Sequence, residues 1–143
     1  MTKAVLDDHL LRDVLGNEIA PGLRKILRTH EPATTNLYLL RLCRSVVAAP
    51  GGQLTGQWPR ERREALAQSL LELPQEIEVL PMRGLAFAMA QLASSRRVSK
   101  LGAEAVAAAQ TLGGPLCVWT GDDGPAIREC AKAHLVNYRV IER

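Results

Sequence analysis

From end to end the chain alternates short strand-like runs with helical segments, and this alternation most narrows the folds open to it. Ala4 to Leu6 reads as a buried strand, and residues 8–15 as a helix that Gly16 stops. Pro21-Gly22 predicts a turn, followed by a short basic helix carrying Leu23, Ile26 and Leu27 at helical spacing. Thr34-Thr35-Asn36 supplies N-cap residues for a helix from about Leu37 to Val47. Residues 50–59, rich in Gly and Pro, predict the one long loop, with Trp58 as its anchor. A helix is expected over 60–73 and an alternating strand over 76–80. Another helix over 82–94 would pack on the sheet through Leu85, Phe87, Met89 and Leu92. After a basic linker at 95–100 come an Ala-rich helix at 102–112, a strand at 116–120, a helix at 125–134 and a last strand at 138–141. Such alternation implies a mostly parallel sheet between helical layers.

Length and composition set the frame. A chain of 143 residues with 47% hydrophobic and 23% charged side chains predicts one folded domain, 1–143, with a core that needs no disulfides. Cys43, Cys117 and Cys130 are an odd set without a CxxC pair, so small core residues in a reducing cytoplasm are expected. No apolar run reaches membrane-spanning length, and the early Asp7, Asp8 and Asp13 argue against a secretory signal.

The net charge of +3 is unevenly spread. Residues 24–100 hold twelve Lys and Arg against six Asp and Glu, whereas the two ends together are acidic. A basic middle suits a polyanion, although so few aromatics leave little for base stacking and a solvated helical face explains the charges equally well. Arg96, Arg97 and Lys100 are the best phosphate-contact candidates. Arg60, Arg62 and Arg63 read as a solvated face.

The carboxylates fall where strand-like runs give way to helices. Asp7-Asp8 follows the first strand, Asp122-Asp123 follows the penultimate one, and Glu104 sits in the first turn of the Ala-rich helix. Each has a structural explanation as a cap or a dipole partner. Doubled acids at both junctions exceed what capping needs. In an open α/β sheet the carboxyl ends of strands are where ligands bind, and acids gathered there would hold a divalent cation and activate water against a phosphodiester. His9, His30 and His134 show no zinc-ligand spacing, and His9 is expected on a helix surface. Nucleotide-cradling glycine motifs and a GxSxG elbow are both missing from the sequence.

These residues resemble the PIN-domain family, the fold of VapC-type ribonuclease toxins. Ala4-Val5-Leu6-Asp7-Asp8-His9-Leu10-Leu11 is similar to the family's first strand and its metal-binding Asp, placed at Asp7. Leu101-Gly102-Ala103-Glu104-Ala105 is similar to the Ala-Asp-Ala helix start, which puts Glu104 at a catalytic acid's position. Val118-Trp119-Thr120-Gly121-Asp122 resembles the strand-end Thr-x-Asp motif, and Tyr138–Ile141 the last edge strand. One position departs: the family's Glu on the helix after its second strand falls here on Arg41 or a leucine, with no acid from Pro32 to Gln57. Arg41 would then pair with Asp7 or Glu104 as an internal cation.

The resemblance implies a three-layer α/β/α PIN-like domain with a mostly parallel sheet of about five strands. It implies an Mg2+- or Mn2+-dependent endoribonuclease with Asp7, Glu104 and Asp122 as catalytic ligands and Asp8 and Asp123 as auxiliary acids. Arg41, Arg96, Arg97, Lys100 and Thr120 would contact RNA. A small antitoxin partner and a homodimer come with that expectation. The rival expectation, resting on the missing acid, is a non-catalytic PIN-fold module that binds RNA or a protein.

Overall fold

The computed structural model describes residues 1–48, 52 and 54–143. Five strands, β1 (Lys3–Leu6), β2 (Glu31–Thr34), β3 (Glu78–Val79), β4 (Leu116–Trp119) and β5 (Tyr138–Ile141), form one all-parallel sheet in the order β3-β2-β1-β4-β5. Among the described residues seven helices flank it: α1 (Asp8–Leu15), α2 (Pro21–Leu27), α3 (Asn36–Val47), α4 (Arg60–Leu71), α5 (Ala86–Ser95), α6 (Lys100–Leu112) and α7 (Pro125–Ala133). The result is the expected three-layer α/β/α arrangement, consistent with a PIN-like fold.

Alternation along the strands builds the layers, because successive side chains point to opposite faces of a sheet. Val5, Ala33, Leu116 and Val118 join the buried face of α6 and residues of α5 and α7. Ala4, Leu6, Cys117 and Ile141 face the other way, onto Leu10 of α1 and Leu23 and Ile26 of α2. A third apolar cluster joins Leu11, Leu42, Leu54, Leu66 and Ile77, and so seats α3 and α4 against α1. The Ala-rich sequence of α6 lets it lie close to the sheet: every residue from Gly102 to Ala109 is buried. Its end is sharp. Gly113 takes a left-handed φ of 66°, and a Cβ on Gly114 would fall 1.8 Å from the carbonyl oxygen of Lys3, so β1 passes where only glycine fits.

Several expectations change in the folded chain. Pro21-Gly22 does not turn before α2 but opens it, since proline is well suited to a first helical position. Residues 31–34, unassigned from periodicity, form β2. The segment 82–94 splits into a 3-10 turn (Met82–Gly84) and α5, and Phe87 is 79% exposed instead of packing on the sheet. The basic linker shrinks because Ser99 caps α6 and Lys100 begins it. Within the expected long loop, Pro50, Gly51 and Gln53 lie outside the described residues, but its end is anchored. Arg12 donates to the Leu54 carbonyl, Thr55 bonds Ser45, and Arg62 stacks 3.6 Å over Trp58. Cys117 and Cys130 are buried as expected, while Cys43 is only partly so. Among the described residues no helix is long and apolar enough to cross a membrane.

Candidate metal centre

Strand order decides where the acids meet. The chain leaves β1 towards β2 on one side, while β4 pairs with β1 on the other, so a topological switch point lies beyond the carboxyl ends of β1 and β4. Such a crevice is the usual ligand site of an open parallel sheet. Asp7 leaves β1 there, and Asp122 ends the 3-10 turn (Thr120–Asp122) that follows β4.

Asp7 does local work on both strands. Its Oδ1 accepts from the Leu10 N–H at 2.9 Å and so caps α1, while its Oδ2 accepts from the Trp119 N–H at 2.8 Å. These bonds bring the Thr120-Gly121-Asp122 turn against the start of α1. The turn itself needs glycine, because a Cβ on Gly121 would fall 2.2 Å from the folded-back ring of Trp119. Thr120 donates to the Ile141 carbonyl at 3.1 Å, so its hydroxyl ties this turn to β5.

Into this corner reaches His9. Its Nδ1 lies 2.8 Å from Asp122 Oδ2 and 3.3 Å from Asp8 Oδ1, and its ring rests on Trp119 with centroids 4.3 Å apart. His9 is only 2% exposed, which corrects the expectation of a helix-surface histidine. One ligand atom each from Asp7, Asp8, His9 and Asp122 lies within 4.8 Å of the others. Donors around one small divalent ion at about 2.1–2.3 Å sit up to about 4.5 Å apart, so the cluster can hold a metal with adjustments of a few tenths of an ångström. One buried atom strengthens that fit: Asp8 Oδ2 has no hydrogen-bond partner among the described residues and only the Arg41 guanidinium 3.3 Å away.

Electrostatics show how the cluster is balanced without an ion. Burial, then the neighbouring Asp122, raises Asp7 well above the usual carboxylate range, against the pull of its backbone donors. Burial alone would lower His9, but its contacts with Asp122 and Asp8 win and hold its pKa at about 9. Burial would raise Asp122, and His9 and Asp7 together bring it down to about 2. Arg41 adds a second cation, its Nε 3.3 Å from Asp8 Oδ2. The proton on His9, with Arg41, therefore offsets charge that a divalent ion would otherwise neutralise. Tyr38, buried beside these acids, stays a neutral phenol; burial and then Asp7 and Asp8 push its pKa far up.

The remaining candidates separate. Arg41 is the internal cation anticipated, but its partner is Asp8 and not Asp7 or Glu104. Glu104 lies in the second turn of α6, not the first, because α6 begins at Lys100. Fully buried, its Oε1 accepts from the Leu37 N–H at 2.9 Å and its Oε2 faces the Asn36 amide at 3.4 Å, so it closes the N-terminus of α3 and stands outside the four-residue cluster. Asp123 turns away to Arg128 and the Tyr138 hydroxyl, each at 2.9 Å. Arg96, Arg97 and Lys100 are exposed around the α5–α6 connection. Two cavities meet at Arg41. One, of about 400 Å³, runs past His9, Arg44 and Ser45, and the other, of about 270 Å³, past Asp122, Ser99 and Tyr38. His9 and Trp119 are the site residues that sequence reasoning missed. The run Asp7-Asp8-His9 of three consecutive ligand types was the only available signal.

Fold and site together define a parallel α/β protein with a buried carboxylate–imidazole cluster, able to hold a metal, at its switch point. No family model matches the chain, and no curated protein matches its sequence.

Proposed function

We propose that the protein is a metal-dependent phosphodiesterase, an endoribonuclease of the VapC type using Mg2+ or Mn2+. The observation that carries this reading is the gathering of Asp7, Asp8, His9 and Asp122 at the switch point, beneath a crevice rimmed by Arg41 and Arg44. Asp7, Asp8 and Asp122 would hold the ion with His9 beside them, and the ion when bound supplies an acidified water and neutralises phosphate charge. Arg41 and Arg44, one helical turn apart on α3, would seat an RNA phosphate in the larger cavity. Arg96, Arg97 and Lys100 would hold the chain beyond the smaller one. Thr120 supports the turn that presents Asp122. Buried Asp7 orients both the first turn of α1 and that turn. A small antitoxin and a homodimer belong to this proposal through the family resemblance.

A second reading, a non-catalytic module binding RNA or a protein, is favoured by one feature. Arg41 already lies against Asp8 and supplies part of the charge a metal would bring. Cleavage of total RNA with Mn2+ separates the two. The nuclease should lose its activity in Asp7→Asn and Asp122→Asn, whereas equal activity in wild type and both variants would end the assignment to these residues.

A further inference from the structure

Histidine at the centre of the acidic cluster changes which ion the site prefers. We infer that His9 is itself a metal ligand, through Nδ1, and that the site takes a transition-metal ion such as Mn2+ in preference to Mg2+. This deepens the metal-site reading above and rests on it.

The geometry supports the assignment at two points. Nδ1 is the ring nitrogen that faces both Asp122 and Asp8, at 2.8 and 3.3 Å, so an ion held by those carboxylates finds it within reach and takes the place of the Nδ1 proton, which leaves to solvent. Asp8 Oδ2 is fully buried and lacks a hydrogen-bond partner among the described residues, which leaves lone pairs that only Arg41, at 3.3 Å, partly answers. Trp119 packs against the imidazole and keeps it in the cluster. Donor chemistry then sets the preference. Mg2+ demands oxygen ligands in near-ideal octahedral geometry and parts reluctantly with its water, whereas imidazole nitrogen suits first-row transition ions increasingly along the series from Mn2+. A set of three carboxylates and one imidazole favours Mn2+, Co2+ or Zn2+ over Mg2+.

Titration calorimetry with Mn2+ and with Mg2+, paired with pulsed EPR of the Mn2+-loaded wild-type protein, tests this without relying on activity. The expected result is Mn2+ binding about 10-fold or more tighter than Mg2+, with 14N coupling from one imidazole. In His9→Gln, shown folded by circular dichroism, the coupling should vanish and the preference shrink. Mn2+ and Mg2+ binding equally, or Mn2+ binding without nitrogen coupling, would overturn the ligand assignment and leave the metal site standing. Neither ion binding would overturn both. Because the EPR measurement uses the wild-type protein, a variant that fails to fold does not shield the inference.

Discussion

Replacing Arg41 with alanine should move metal affinity and protein stability in opposite directions. Arg41 Nε lies 3.3 Å from the Oδ2 of Asp8, which is fully buried, while the arginine side chain is 46% exposed. At an effective dielectric of about 20 the bare attraction is roughly 5 kcal/mol, and solvent around the half-exposed guanidinium reduces its net contribution to about 1–2 kcal/mol. His9 still contacts the other oxygen of Asp8, so the acid is not wholly abandoned. Without metal, Arg41→Ala should therefore lower stability by about 1–2 kcal/mol, a fall of about 2–6 °C in Tm for a chain of this size. An incoming ion no longer competes with the guanidinium, so Mn2+ should bind about 5–30-fold more tightly. Arg41→Lys keeps a charge within reach and should stay near wild type in both respects. Calorimetric titration and thermal unfolding of the three proteins give the answer. If Arg41→Ala binds Mn2+ no better than wild type, Arg41 does not compete for the site, and the explanation of the missing helix acid is wrong.

Two further outcomes follow from the same cluster. Folding holds His9 protonated to about pH 9 against 6.5 in the unfolded chain, so its contribution is complete below pH 6.5 and is lost as the pH rises towards 9. Asp7, also raised, acts with the same sign. Metal-free stability should fall across that window by roughly 3 kcal/mol at most, read from urea unfolding at successive pH values, and a flat or rising profile would contradict the balance drawn here. Glu104→Ala removes the buried acceptor of the Leu37 N–H and should cost about 2–3 kcal/mol. It should weaken Mn2+ binding far less than Asp122→Ala does, and an equal loss would return Glu104 to the ligand set.

Local pattern was enough to place most of the elements and to put Asp7 and Asp122 just past strand ends. Val5 and Leu6 against Asp7, and Val118 and Trp119 against Asp122, mark strand ends by the change from apolar to acidic, and a parallel sheet brings such ends to one edge. Helix α1 spans residues 8–15 as read from its periodicity, and Tyr138–Ile141 is the last strand as expected. Periodicity could not reveal β2, because Glu-Pro-Ala-Thr carries little strand preference and gains it only by pairing with β1 and β3. Nor could it assign side-chain partners. Residue type made Arg41 an internal cation, but packing of α3 against α1 chose Asp8 as its acid. Glu104 looked like a ligand at its place in the sequence, yet α6 turns it to the start of α3. His9 on a short helix looked like surface, and burial against Trp119 at the end of a strand 110 positions later made it central. Backbone type follows from neighbours along the chain, but the direction and company of a side chain are decided by contacts between segments far apart in sequence.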